Sequence, residues 1–362
     1  MYFFVLHPSG TDHAEIIAEL KGEKESMLPG YRVKMLDGNC IEATEHRIEV
    51  LRETRAGALP GKSLVVFDPV TELAIDVFPC EDGHAQERSL LSQVLVTVEK
   101  KDVWVMDRNF CVRSFLLGIK DKGGLFIVRQ HGQVPYKVLT EEGKVGITDT
   151  GTVYEQWIEM VDGEGKAHKL RRIIVKLNKA TRDKDKELYI VTNLPKIHAG
   201  AVLISNIYRK RWNIETMFQK LESHLHSEIN TLGYPKAALF GFCVALVAYN
   251  TLSVLNAALR SKHGEEVIEN ELSGYYVANC IARTYDGMMI AIPVAQWGIV
   301  RKMSLKMFCK FLMELADNVD LEKYKKSKRG IKKPRPQQNK YKGKPHVSTA
   351  KLLVEKLARK TP

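Results

Sequence analysis

Hydrophobic and polar positions divide the chain into a first part built of short alternating runs and a later part built of helical stripes. Residues 1–30 have weak periodicity and close on Leu28-Pro29-Gly30, a turn signal. Tyr31 to Leu36 alternates as a strand and ends on Asp37-Gly38. After a polar stretch rich in Glu and Arg, two more strands follow, at 63–67 and 73–77, joined by the Asp68-Pro69 turn. A helix is predicted over about 84–98, with Leu90, Leu91, Val94, Leu95 and Val98 on one face. The short run Val103-Trp104-Val105-Met106 reads as a buried strand ending on Asp107.

From Leu125 to about Arg182 the chain is rich in Gly, Thr, Val and charged residues, with alternating runs at 132–139, 152–160 and 170–177. This segment predicts a β-rich insertion. Leu188 to Thr192 resumes the core as a fifth strand, and one helix is expected from about Ala199 to about Leu225. With Tyr208 at zero and about 100° per residue, Arg211, Glu215, Gln219 and Glu222 fall near 300°, 340°, 20° and 320°. Leu203, Ile207, Ile214, Met217, Phe218, Leu221 and Leu225 form the apolar stripe beside them. Alone, the polar stripe reads as a solvated face. A second long helix, 235–260, is apolar on most sides, and 269–320 reads as two or three further helices.

Together these elements predict an α/β fold. Its parts are a short N-terminal remnant (1–30), a core (31–124 and 183–262), the β insertion (125–182), a helical C-terminal region (263–322) and a tail (323–362). Charge sharpens only the last of these. The net charge is +12, yet eleven Lys or Arg residues and no acid lie between Lys323 and Lys344, so the body is close to neutral. Such a tail fits nucleic acid, where it releases counterions from phosphate, and equally fits a solubilising segment. Lys332, Lys333 and Arg335 are its candidate DNA contacts. Six cysteines without a CxxC pair argue against a zinc ribbon or a disulfide framework and place the chain in the reducing cytoplasm. The apolar run from Ala237 to Tyr249 falls short of the roughly 20 residues a bilayer span needs, so no membrane role is expected.

Three acids stand out by position: Asp37 ending the first strand, Asp107 ending the fourth, and Glu215 on the helix after the fifth. Strand ends of α/β sheets gather ligand and catalytic groups. Three carboxylates there suit hard divalent cations, and a metal pair activates an attacking oxygen and stabilises a leaving one in phosphoryl transfer. Arg211 could hold a phosphate by its planar fork, Tyr208 could donate a hydrogen bond, and Trp212 could stack on a base or simply pack. Rival motifs are weaker. Gly57 to Ser63 is one residue short of a phosphate-binding loop and precedes a strand instead of a helix. Cys80 and His84 lack partners at metal-ligand spacing, and no nucleophile elbow is present.

These residues resemble the insertion-sequence transposases of the DDE superfamily, in the branch marked by Tyr-x2-Arg-x3-Glu-x6-Lys. Tyr208, Arg211 and Glu215 fill three of the four signature positions. The first-Asp motif is similar at Met35-Leu36-Asp37-Gly38-Asn39 and the second at Val105-Met106-Asp107-Arg108-Asn109-Phe110. The resemblance spans roughly 31–350. It implies an RNase H-like mixed sheet flanked by helices, with the β insertion before the last catalytic helix. It further implies Asp37, Asp107 and Glu215 as ligands of two Mg²⁺ ions, with Mn²⁺ as a substitute. The implied reaction is end cleavage and strand transfer on double-stranded DNA, both transposon ends and target, by a homodimer, with Tyr208, Arg211, Trp212 and Arg108 as DNA contacts.

Two features depart from the branch. The lysine position is Glu222, and Lys220, near 120° on the wheel, lies off the polar stripe. Only 36 residues precede Asp37, fewer than the DNA-binding segment the resemblance implies. Two alternatives therefore stay open: a decayed or truncated copy that binds DNA through its tail without catalysis, and another RNase H-like nuclease such as a resolvase.

Overall fold

The computed structural model describes residues 13–21, 26–41, 61–82, 85–181, 184–229, 235–293 and 302–327, with a few isolated positions besides. Lys332, Lys333, Arg335 and His84 lie outside the described residues.

Five strands form the centre. β1 (Arg32–Cys40), β2 (Lys62–Asp68) and β3 (Leu73–Cys80) make an antiparallel meander, and β4 (Asp102–Met106) and β5 (Leu125–Arg129) run parallel to β1. The order β3-β2-β1-β4-β5 is that of an RNase H-like sheet. Both faces are buried, so strand residues alternate between two cores. Met35, Val65, Val105 and Ile127 enter one core, with α4 (Ala201–Arg209), α5 (Trp212–Leu225) and α6 (Pro235–His263). Leu36, Val66, Met106 and Val128 enter the other, with α2 (Leu91–Val96) and α3 (Arg113–Asp121). Each fully buried Leu, Ile or Val side chain stabilises the fold by about 1.5–3 kcal/mol relative to exposure.

β6 (Lys137–Val138), β7 (Gly143–Thr148), β8 (Gly151–Val161) and β9 (Ala167–Leu177) extend the same sheet through β10 (Glu187–Thr192), which lies antiparallel to β5. Leu125–Arg129, grouped with the insertion by composition, is a core strand between β4 and β10. Its apolar, fully paired run is what a doubly buried parallel strand requires.

Several boundaries differ from the sequence expectation. The helix expected over 84–98 is a 3-10 turn, Glu87–Leu90, followed by the six residues of α2. α3 and the short α1 (His13–Lys21) have no counterpart among the elements the hydrophobic pattern predicts. α6 runs 29 residues, long and apolar enough by length and composition to cross a membrane, yet half of its most apolar window is buried in the protein. α7 (Glu265–Glu271), α8 (Gly274–Ala291) and α9 (Leu305–Asp317) complete the described helices, and α1 and α9 pack on α6. The basic tail begins inside this structure. Lys326 N donates to the Glu271 carbonyl, and the Tyr324 carbonyl accepts from Ser273 N.

Candidate active site

The two aspartates are brought together by strand register. β1 and β4 pair in parallel up to Leu36 opposite Met106, so the next residue on each strand is an aspartate. Asp37 does not end its strand, as the sequence suggested. β1 continues to Cys40, held by β2, with Asp37 opposite Val65. Asp37 shares the face of Met35, the α5 side of the sheet. Its Oδ1 accepts from Gly38 N at 2.9 Å. Asp107 leaves the sheet and caps the single-turn helix Arg108–Phe110, accepting from Asn109 N at 2.6 Å. The buried Phe110 side chain anchors that turn.

The third acid arrives on a helix that is broken where one continuous helix was expected. α4 ends at Arg209 and α5 begins at Trp212. Between them, Arg211 N bonds to Tyr208 O (3.0 Å), Asn213 N to Lys210 O (2.9 Å) and Ile214 N to Arg211 O (3.2 Å). Three such i→i−3 bonds tighten the turn into 3-10 geometry. The break puts Glu215 in the first turn of α5, where the helix dipole favours a carboxylate. It also turns Arg211 inward, leaving it 9% exposed.

Arg211 bridges two of the acids. Its Nη1 donates to Asp37 Oδ2 at 3.0 Å and its Nη2 to Glu215 Oε1 at 2.6 Å, while its buried Nε has no hydrogen-bond partner. Burial pushes the Asp37 carboxyl up to about 7. The Arg211 guanidinium and the Gly38 N–H pull the other way, and the charges of Asp107 and Glu215 add to the rise. Burial therefore outweighs a well-formed ion pair, and all three acids share one field. Tyr208 is pushed up by burial and feels Arg211, Arg129 and Asp107, so it too borders the site.

Asp37, Asp107, Tyr208, Arg211 and Glu215 are thus gathered at one end of the sheet. Trp212 is 61% exposed, its ring 5.6 Å from the Arg211 guanidinium carbon. Arg108 is exposed on the turn after Asp107. Glu222 is exposed two turns beyond Glu215 on α5. Lys220 faces elsewhere, into a cleft with His224, Asn256 and Tyr276. Two further groups border the site without a signal in the sequence. Arg129 ends β5 beside Tyr208 and pairs with Asp185 at 2.5 Å. Glu87 accepts from Asn109 Nδ2 and lies against Gly38. No motif marks either residue; only the folded register brings them here. Of the rival loop, Lys62 and Ser63 open β2 and Lys62 Nζ donates to Ala85 O, so that lysine is tied to backbone.

The donor set suits a hard divalent cation. All three acids carry oxygen donors, and Asp37, raised chiefly by burial and further by the charges of Asp107 and Glu215, would be relieved by an added positive charge. Among the described residues no group of three or more His, Cys, Asp or Glu stands close enough to hold a metal. The Arg211 guanidinium occupies the space between Asp37 and Glu215.

A protein of Sinorhizobium fredii (strain NBRC 101917 / NGR234), provisionally named transposase y4zB, is 24% identical over 205 residues, covering 55% of this chain and 54% of that protein. The match thus spans about half the length of that relative. Among solved structures, a cryo-EM structure of the piggyBac transposase synaptic complex with hairpin DNA superposes with a TM-score of 0.43 and 9% identity, over 88% of this chain and 63% of that one. The family profile described as the transposase DDE domain matches residues 29–251, well over half of the chain and a span that contains all three acids, and the chain belongs to that family.

Proposed function

We propose that this protein is a DNA transposase in which Asp37, Asp107 and Glu215 form the catalytic triad of a metal-dependent phosphoryl transfer. The supporting observation is the bridge that Arg211 makes between Asp37 and Glu215, with Asp37 raised by burial and by the nearby charges of Asp107 and Glu215. Asp37, Asp107 and Glu215 would hold two Mg²⁺ ions, or Mn²⁺ in their place. Bound there, the ions would supply an activated attacking oxygen and charge neutralisation at the leaving one. Arg211, released from the carboxylates, presents its planar fork to a backbone phosphate. Tyr208 supplies a hydroxyl donor beside it, and Trp212 and Arg108 face the strand from solvent. Double-stranded DNA, as element ends and target, is the substrate, bound by a homodimer in the prokaryotic cytoplasm. The basic tail, including Lys332, Lys333 and Arg335, adds electrostatic affinity.

The test uses duplex DNA from the region flanking the protein's own coding sequence. With Mg²⁺, the wild type nicks and joins it, and Glu215→Gln loses about a thousandfold or more in rate. Undiminished nicking and joining by Glu215→Gln would sink the reading. A second reading, DNA binding without catalysis, is favoured by Glu222, an exposed carboxylate on the face where the branch carries a lysine. Tight duplex binding by a wild type that never cleaves in Mg²⁺ or Mn²⁺ would establish that reading.

A further inference from the structure

We propose that Glu87 is a positioning residue that fixes Asp107 relative to Asp37. The inference rests on the metal-site reading above and deepens it. Glu87 opens the 3-10 turn Glu87–Leu90, whose Leu90 is buried under the sheet. One carboxylate oxygen accepts from Asn109 Nδ2. The backbone N–H of Asn109 binds Asp107 Oδ1 at 2.6 Å, and its carbonyl accepts from Arg88 Nε at 2.8 Å. Asn109 is therefore held at three atoms, and two of the three bonds come from neighbours in this one turn. The other Glu87 oxygen packs onto Gly38, where a Cβ would collide with it. Gly38 in turn donates its N–H to Asp37 Oδ1. A single side chain thus touches the residue that orients each aspartate.

The role is geometric, which separates it from a ligand's role. A glutamine at position 87 keeps an acceptor oxygen for Asn109 and nearly the same volume, and removes only the charge. An alanine removes the contact. Partners that orient metal-binding side chains typically cost about 10–100-fold in metal affinity when lost.

The experiment is Mn²⁺ titration of the full chain, followed by electron paramagnetic resonance, with circular dichroism to confirm folding of each variant. Glu87→Ala and Asn109→Ala are each expected to weaken Mn²⁺ binding about 10–100-fold, and Glu87→Gln by no more than about threefold. Because the two residues act through one bond, the double variant is expected to bind no more weakly than the weaker single one. Wild-type affinity in Glu87→Ala overturns the inference, as does a loss in Glu87→Gln equal to that in Glu87→Ala, or full additivity in the double variant. If Asp107→Asn abolishes binding while Glu87→Ala binds as tightly as the wild type, the inference falls and the metal site stands. A wild type that binds no Mn²⁺ removes both.

Discussion

Two buried arginines show how differently the same side chain is used in this molecule. Arg171, on β9, is 1% exposed. Its Nε donates to Glu155 at 2.6 Å and its Nη1 to the carbonyls of Leu194 and Ala199, each at 2.8 Å. It ties the extended sheet to the segment that leads into α4. Arg211 sits where that path ends, and its ion-pair partners are the carboxylates of Asp37 and Glu215. Backbone carbonyls have no alternative to a donor once buried. Carboxylates can exchange a guanidinium for another cation, so under the proposed function the Arg211 contact is the replaceable one, whereas two backbone carbonyls fix Arg171. By partner type Arg260 stands with Arg211, since carboxylates hold it too. It grips Glu72 with both nitrogens, at 2.9 and 3.0 Å, and also reaches Glu269, joining α6 to the β2–β3 turn and α7.

The largest expected effect breaks the fixed contact. Arg171→Ala leaves Glu155 buried without its main partner, and loss of one member of such a pair costs about 3–5 kcal/mol. Thermal unfolding should show this loss, unchanged by Mg²⁺. Arg211→Ala removes charge-assisted bonds from acids that keep some solvent contact, for about 1–3 kcal/mol in a metal chelator. Added Mg²⁺ should restore most of that loss. Equal responses of the two variants to Mg²⁺ would erase the distinction between them.

A pH series sharpens it further. Asp37 is raised from an ordinary value of 3.8 to about 7, so the folded protein binds the extra proton between those values. The stability this provides is complete below about pH 4 and is lost as pH rises through 7. Without metal, unfolding free energy should therefore fall by a few kcal/mol across that window, and Asp37→Asn should flatten the slope. Mg²⁺ should stabilise most above pH 7, where Asp37 has released its proton. A slope that persists in Asp37→Asn assigns it to another group.

The smallest effects concern DNA. Truncation after Ser327 spares the contacts of Lys325 and Lys326 with Glu271 and Glu269 and removes the remaining basic run. Duplex affinity should drop and its salt dependence flatten. Glu222→Lys should raise affinity a few-fold and steepen the salt slope by about one. Neither change should move the melting temperature.

Strand identity is legible in the sequence because it rests on composition and alternation. Met35 to Gly38 and Val105 to Asn109 mark both aspartates by local pattern alone, a buried apolar run followed by an acid. The helix break is not legible. Tyr208 to Glu222 keeps its polar stripe through Arg211 and Glu215, and only tertiary burial of Arg211 against Asp37 favours the tightened turn. Leu125 to Arg129 falls with the insertion by composition because a five-residue apolar run looks alike in a core and in an insertion. Pairing partners alone decide between them. Glu87 is silent in the sequence for a related reason: its function lies in what it touches across the chain.

The proposed chemistry calls for one divalent-metal site, with Asp37, Asp107 and Glu215 as its ligands and Arg211 holding it until metal enters. Mn²⁺ binding followed by electron paramagnetic resonance probes it on the wild type, Arg211→Ala and the three acid-to-amide variants. Saturable binding to the wild type, tighter binding to Arg211→Ala, and strong loss with Asp37→Asn, Asp107→Asn and Glu215→Gln are expected. Binding that is indifferent to all three acids, or weakened by removal of Arg211, would contradict such a site.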